Sequence, residues 1–321
     1  MKVIDHYAAS SEPLISFEII PPKRGGSIQT VFNALDQVMR FKPPFIDITS
    51  HAAEADFREF PDGTIKRQIK RKRPGTIGLA AALKHRYDVD VVPHLICKGF
   101  TKEETEDALI ELNYLGIENV LAIRGDDHAV PKPHNKDRQV NEYAVDLVRQ
   151  IEAMNQGQYL EELMDAHPTN FCIGVGGYPE KHKDAPNMAS DIRRLKEKVD
   201  AGADYIVTQL FYDNAHYFSF VDACRAAGIT IPIIPGIKVL TREQHLSTLP
   251  GIFHVDIPVE LCEAVTAEPS RAAHHGIEWA KKQCLGLLEA GVPGLHFYIM
   301  ADPNPAIHVI DSLPISQNAT V

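Results

Sequence analysis

Apolar residues fall in short runs separated by longer stretches with helical spacing, and this alternation repeats along the chain. Eight runs read as strands, near residues 14–20, 45–49, 90–96, 119–124, 171–177, 205–211, 231–236 and 294–299. Several share one punctuation: a helical segment closes on a glycine, a few residues pass, and an apolar strand follows. It appears at Gly116 before Val120-Leu121-Ala122-Ile123 and at Gly202 before Tyr205-Ile206-Val207. It recurs at Gly228 before Ile231-Pro232-Ile233-Ile234 and at Gly291 before Leu295-His296-Phe297-Tyr298. Glycine just past a helix supplies the left-handed C′ conformation, and a short loop then feeds a buried strand. Strands alternating with helices predict a parallel sheet. Eight of them favour an α/β fold of the (β/α)8 TIM barrel type over an open doubly wound sheet, and no GxGxxG follows a strand. Thr101 with Glu104, and Thr241 with Gln244, have capping-box spacing, and Ser27 is a candidate N-cap. The chain reads as a single barrel over 1–321 with a frayed tail near 312–321.

The first strand carries the sharpest local signal. In Leu14-Ile15-Ser16-Phe17-Glu18-Ile19-Ile20, stopped by Pro21-Pro22, alternation places Ile15, Phe17 and Ile19 on one face. Ser16 and Glu18 fall on the other. A carboxylate in an apolar strand is costly unless it is paired, or neutral with a raised pKa. Glu18 is therefore either a structural carboxylate with a buried partner or a proton donor facing a ligand at a strand's carboxyl end.

Composition narrows the classes. With 43 acidic against 33 basic residues, a net charge of −10 argues against a general nucleic-acid binder, and 44% hydrophobic residues suffice for a large core. Cys97, Cys172, Cys224, Cys262 and Cys284 are widely spaced and lack CxxC, which suits a reduced cytoplasmic chain without a zinc site. Neither a signal peptide nor an apolar run of membrane length is present. Long loops are expected at 50–75, 125–140 and 250–270. In the first, Lys66 to Arg73 is rich in Lys and Arg; it reads as a solvated basic helix turn, or as a landing site for a polyanionic substrate tail.

In a barrel, polar residues at strand ends converge on one mouth. The candidates are Glu18, Thr49, His94, Arg124 with Asp126, Tyr178, Gln209 and Tyr298. Each has a plainer reading, Arg124 with Asp126 as an ion pair and His94 as a hydrogen-bonded core histidine. Gly174, Gly176 and Gly177 leave backbone that a flat aromatic cofactor could approach. Asp191, Arg194 and Lys198 share a helix face, as a salt-bridge stripe or as an anchor for ribose and pyrophosphate. No HExxH or comparable metal set appears, so no metal is expected, and no GxSxG elbow is present.

These segments, taken in order, resemble the methylenetetrahydrofolate reductase family over about residues 13–300. The pieces are Ser16-Phe17-Glu18 with Pro21-Pro22, Pro93-His94-Leu95, Ala122-Ile123-Arg124-Gly125-Asp126 and Tyr143-Ala144-Val145-Asp146-Leu147. They continue with Gly177-Tyr178-Pro179-Glu180 and His182, Leu195-Lys196-Glu197-Lys198-Val199, Thr208-Gln209-Leu210-Phe211, Ile234-Pro235-Gly236-Ile237 and Leu295-His296-Phe297-Tyr298. The resemblance implies a (β/α)8 barrel with non-covalent FAD, reduced by NAD(P)H, which then passes a hydride to 5,10-methylenetetrahydrofolate to give 5-methyltetrahydrofolate. It makes Glu18 the proton donor, and it places Asp126, Gln209 and His245 at the substrate. By the same matching, FAD would be held by Thr49, Ala52, His94, Arg124, Gly125 and Asp126. Tyr143, Ala144, Tyr178, His182, Ala185, Asp191 and Lys198 would complete its site. A cytoplasmic homo-oligomer acting on small molecules, without nucleic acid or membrane partners, is expected.

The chain departs from the family in places. Ile299-Met300-Ala301-Asp302 stands where many members have Thr-Leu-Asn-Arg, so Asp302 replaces an arginine near the substrate, and His245 stands where a glutamine is usual. The chain ends at Val321, so the C-terminal regulatory domain of eukaryotic members, and control by S-adenosylmethionine through it, are not expected. A barrel lyase or aldolase acting on phosphorylated substrates, and a silent folate-binding paralogue, remain the alternatives. Nicotinamide preference is not fixed by the sequence.

Overall fold

The computed structural model describes residues 1–70, 73, 75–125 and 138–315, without the side chains of Glu54, Asp56 and Lys70. Helix α1 (Val3–Ala9) precedes strand β1 (Leu14–Ile19), then α2 (Gln29–Val38) and β2 (Phe45–Ile48) follow. A hairpin of β3 (Glu54–Glu59) and β4 (Ile65–Lys70) leads to α3 (Ile77–Tyr87), β5 (Asp90–Ile96), α4 (Lys102–Tyr114) and β6 (Asn119–Ile123). Next come α5 (Ala144–Asn155), β7 (Cys172–Gly177), α6 (Met188–Asp200), β8 (Tyr205–Thr208) and α7 (Asn214–Ala226). The chain continues through β9 (Ile233–Ile234), β10 (Gly236–Ile237), α8 (His245–Phe253), α9 (Val259–Ala267), α10 (Ala272–Glu289), β11 (Gly294–Met300) and α11 (Asn304–Ile310).

The main sheet runs β10-β11-β1-β2-β5-β6-β7-β8-β9 and its pairings are parallel. Pro235 alone separates β9, which pairs with β8, from β10, which pairs with β11. The two pieces are the expected seventh strand, interrupted where a proline lacks the ladder N–H. The ring therefore comes round on itself as a (β/α)8 barrel. All eight expected strands are present, and Gly116, Gly202, Gly228 and Gly291 each take positive φ after a helix.

Alternation along the strands builds two layers. Ile15, Phe17 and Ile19 join the large cluster between strands and helices. Inside the ring, Phe45, Val92, Leu121, Tyr205, Val207 and Ile234 fill the lower levels, with Val3 of α1 packed beneath. Helix α1 is pinned there: Asn119 Oδ1 accepts the Val3 N–H at 2.8 Å, and Asp90 takes His6 at 2.8 Å and the N-terminal ammonium at 3.0 Å. The amino-terminal end of the barrel is thus plugged, and the carboxyl end is left as the mouth.

Three local expectations are corrected. The 50–75 loop contains the β3–β4 hairpin, and Lys66 and Arg67 lie on a strand rather than a helix turn, both exposed. Strand alternation splits the basic run between two faces; Arg71 and Lys72 lie outside the described residues. The 250–270 stretch is largely helical, as α8 and α9, because Leu249, Leu261 and Val265 bury against Leu210 and Leu240. The Thr241–Gln244 box does not form; the Thr241 N–H donates instead to His245 Nδ1 at 3.2 Å. The Thr101–Glu104 box is present in both directions, and Ser27 Oγ accepts the Gln29 N–H at 3.1 Å.

The glycines of β7 have separate duties. A Cβ on Gly174 would lie 2.4 Å from the Tyr205 ring, and one on Gly177 would lie 2.7 Å from Ile206 and 2.8 Å from Phe220. The chain's own side chains occupy those two places. Only Gly176 is open, with the Tyr178 hydroxyl 3.9 Å from such a Cβ. Overpacking costs about 1–3 kcal/mol, so Gly174→Ala should lower stability by that amount in urea titrations. Gly176→Ala in the ligand-free protein should stay within about 0.5 kcal/mol of the parent. Equal losses for the two would remove the distinction.

Candidate active site

Side chains that point inward from successive strands meet above the apolar floor. From β1 come Ser16 and Glu18, from β2 Asp47, from β5 His94 and from β11 His296; all five are buried. Thr49, just past β2, completes the set. Thr49 Oγ1 lies 2.8 Å from Glu18 Oε1 and 2.9 Å from the Ile19 carbonyl, so one hydroxyl proton serves two acceptors. Glu18 Oε2 lies 3.6 Å from both His94 Nε2 and His296 Nε2. His94 Nε2 is also 3.2 Å from Asp47 Oδ2, and His296 Nδ1 is 2.8 Å from Ser16 Oγ. Pairings Glu18↔Tyr298 and Glu18↔Asp47 hold these groups at one level of the ring.

Of the two alternatives for Glu18, the electrostatics run against a raised pKa and with a paired carboxyl. Burial does push the carboxyl up, but His94, His296 and Thr49 together more than offset it, and the net direction is down. Burial alone would push the His94 imidazole down; Glu18 and then Asp47 reverse that, and the net direction is up. The pairing of Glu18 with His94 thus favours the ionised carboxyl and the protonated imidazole over what burial alone would give. His94 Nδ1 is buried and has no hydrogen-bond partner among the described residues.

A second group lies past β7. The Tyr178 and His182 rings meet edge-on at 4.6 Å. Asp191 Oδ2 accepts the His182 N–H at 2.7 Å, and buried Ala185 donates its N–H to the His182 carbonyl at 2.9 Å. Arg124 pairs with Asp184 at 2.6 Å, a residue of this same loop. Lys198 Nζ donates to the Gly176 carbonyl at 2.8 Å, and burial draws its pKa down to about 8. Ala52 Cβ is 3.8 Å from the place a Cβ would take on Gly99. Gly125 has φ +86° at the end of β6, a conformation that suits glycine.

The remaining expected residues are less closely tied. Tyr143 and Ala144 open α5, and no hydrogen bond or ring contact among the described residues joins them to either group. Asp126 lies outside the described residues. Gln209 follows β8, and its Oε1 accepts the N–H of its own neighbour Leu210 at 2.9 Å. Tyr298 donates its hydroxyl to the Thr208 carbonyl at 2.6 Å, with the phenol pKa pushed up chiefly by burial. Burial pushes the His245 imidazole down, and the Lys238 and Arg242 charges add to that.

Asp47, His296 and Lys238 were missed as centre residues, although the signal that singles out Glu18 applies to them. Each is an ionisable residue inside a short apolar run: Phe45-Ile46-Asp47-Ile48, Leu295-His296-Phe297 and Ile237-Lys238-Val239. Lys238 Nζ donates to the Tyr298 carbonyl at 2.9 Å. Burial draws its pKa down to about 8 against the opposing pull of Glu18 and Asp302. Asp302 accepts from the Asn304 N–H at 3.1 Å and from its side-chain amide at 2.9 Å, holding the start of α11.

A family model described as methylenetetrahydrofolate reductase matches residues 3–314. The relative named "Methylenetetrahydrofolate reductase (NADH) 1" from Arabidopsis thaliana is 32% identical over 343 residues, covering 100% of this chain and 52% of the relative. The "5,10-methylenetetrahydrofolate reductase" of Salmonella typhimurium is 30% identical over 289 residues, covering 89% and 86%. The chain spans about half the length of the plant relatives it matches. A solved structure from Clostridium thermocellum, described as binding two copies of 5-methyl-5,6,7,8-tetrahydrofolic acid, covers 96% of each chain with a TM-score of 0.56. At 12% identity that likeness is one of fold.

Paired charges make the Glu18–His94 contribution to stability depend on pH. The Glu18 part is present above its ordinary value of 4.5 and is lost as pH falls through the lowered folded value. The His94 part is complete below its ordinary value of 6.5 and is lost as pH rises through the raised folded value. Glu18→Gln should therefore cost most stability between those two values. It should also lower the His94 pKa by about one unit or more, the effect of removing an opposite charge at this range. Histidine ring signals followed by NMR across pH read this directly; an unmoved His94 titration would break the pairing.

Proposed function

This chain belongs to the methylenetetrahydrofolate reductase family, and we propose that it reduces 5,10-methylenetetrahydrofolate to 5-methyltetrahydrofolate at the carboxyl mouth of its barrel. The observation that carries the reading is the Glu18 carboxyl, buried at the level of the strand ends with the His94 imidazole 3.6 Å away. Ring opening of this substrate needs a proton at the departing amine nitrogen, and a positioned carboxyl is suited to deliver it.

FAD fits the rest of the mouth. His94 Nδ1 is a buried polar atom without a hydrogen-bond partner among the described residues, and Gly176 leaves open the place a Cβ would take. Thr49, Ala52 and His94 would hold the flavin on one side, with Arg124, Gly125 and Asp126 beside it and Tyr143 and Ala144 at the start of α5. Tyr178, His182 and Ala185, with Asp191 and Lys198 behind them, would take the remainder. Bound there, FAD supplies the redox relay between NAD(P)H and folate. NADH is the first donor to try, since the plant relatives are named for it.

The chain's own part is to hold and move one proton. In the open mouth it rests on His94, with Glu18 ionised. Excluding water over the mouth strengthens the burial penalty on both charges. The pair then favours its neutral form: the Nε2 proton of His94 passes to Glu18 Oε2, and from there to the substrate nitrogen. Asp47 keeps the ring of His94 oriented, and Thr49 keeps the carboxyl oriented. Gln209 and His245, with Asp126, would contact the pterin, which requires Gln209 to release the Leu210 N–H.

Each half of the reaction can be run alone by stopped-flow absorbance at the flavin band. The purified protein should be yellow, be bleached anaerobically by NADH or NADPH, and recover its colour on adding methylenetetrahydrofolate. A colourless protein that gains no flavin on incubation with FAD would overturn the reading. Glu18→Gln should still be bleached by the nicotinamide, while recovery with folate slows by about 10²-fold or more. Recovery at the parent rate would make Glu18 structural.

A further inference from the structure

Away from the Glu18 centre, three side chains with donor atoms meet from separate parts of the chain. Glu180 comes from the loop after β7, His216 from the first turn of α7, and Asp256 from the link between α8 and α9. One donor atom of each lies within 4.8 Å of the other two. Despite that closeness, no side-chain hydrogen bond joins them among the described residues. Glu180 Oε2 accepts the backbone N–H of Asp256 at 2.6 Å, while Glu180 Oε1 is buried with no partner. Burial pushes the Glu180 carboxyl up, in spite of the Asp256 N–H bond and of His216.

An ion-paired histidine would close the gap with a bond of about 2.7–2.9 Å to one carboxylate. The arrangement differs from that: two carboxylates and an imidazole surround a common point without bonding to one another. A bound cation explains this spacing, because metal–ligand bonds of about 2.0–2.2 Å keep the ligand atoms apart from each other. One imidazole nitrogen with two carboxylate oxygens suits Zn²⁺ or Mn²⁺ better than Mg²⁺ or Ca²⁺, which favour oxygen throughout. Three protein ligands also leave positions for water.

We propose that Glu180, His216 and Asp256 form a binding site for a divalent transition-metal ion of the Zn²⁺ or Mn²⁺ class. The ion ties the loop after β7 to α7 and to the α8–α9 link. Its role is that of a clamp, since Glu180 stands between Tyr178 and His182 and an anchored Glu180 restrains both rings. The site is defined by these residues alone and does not depend on the reductase reading.

The test uses the full chain stripped with a chelator and dialysed. Mn²⁺ titration followed by electron paramagnetic resonance should give one site per chain. His216→Ala and Asp256→Asn should each weaken it about tenfold or more, and the double variant should abolish it. These two positions are not part of the buried core, so the variants should keep the parent far-UV circular dichroism. Zn²⁺ at a hundredfold excess over its dissociation constant should raise the parent Tm by about 2 °C or more and leave the double variant unmoved. Binding should weaken as pH falls, because all three ligands must be deprotonated. Equal Mn²⁺ binding by parent and double variant would overturn the site. Displacement of Mn²⁺ by equimolar Mg²⁺ would overturn the assigned metal class.

Discussion

Taking the Glu18 carboxylate out of water costs several kcal/mol, and that cost returns only if its oxygens are well paired. Much of the barrel's interior chemistry follows from this. Thr49 covers one oxygen, and two imidazoles from strands on either side cover the other. Each imidazole must then be held in turn. Asp47 does so for His94 and Ser16 for His296, so a single buried charge recruits polar residues from four strands. A web of this kind fixes ring orientation and tautomer, which an apolar filling could not do.

The barrel is closed at one end and reactive at the other for simple packing reasons. Small residues on β7 leave room for Tyr205 to cross the interior, and α1 packs Val3 beneath Phe45 and Tyr205. Glu18 then faces the carboxyl ends of the strands, above this packed floor. Mouth residues come from strand ends and from the loops that follow, where backbone is free of ladder pairing. The loop past β7 is stiff in spite of this. Asp191 reaches back from α6 to hold the His182 N–H, and Lys181 donates to two carbonyls of the same loop.

How much could be read from the sequence depended on whether a residue's environment is local. The strands of the ring were legible because both of their faces are buried, which leaves continuous apolar runs. The glycines after helices were legible because positive φ is a property of one residue. Helix α1 was not, since it is held by Asn119 and Asp90, more than eighty residues away in the chain. The β3–β4 hairpin was hidden because its pattern mixes Phe57, Ile65 and Ile69, all largely exposed, with basic residues. Glu18, Thr49 and His94 were each legible as a polar residue at a strand end, and Thr49 and His94 both approach Glu18. The direction of the Glu18 pKa was not legible, because burial can be read from one strand while the approach of His94 and His296 to the same oxygen cannot. The glycines of β7 misled in the same way, with Tyr205 and Phe220 filling space that the sequence left open.

The other side of the mouth shows how a fold can keep local charge while changing its source. Strand β11 leaves the sheet through Met300 at φ +56°, a left-handed conformation that costs a non-glycine residue about 1–2 kcal/mol. The turn carries Asp302 to Asn304, where it holds the start of α11. The position that the family resemblance assigns to an arginine is therefore committed to a helix terminus. A cation near Glu18 comes instead from just past β10, as Lys238 anchored on the Tyr298 carbonyl. Lys238 directly follows Ile237, whose place the sheet register fixes, and its ammonium is held on a backbone carbonyl. It also loses hydration there, and its pKa falls to about 8. An arginine would stay charged throughout; a lysine so placed makes the charge of this half of the mouth vary with pH in the mildly alkaline range.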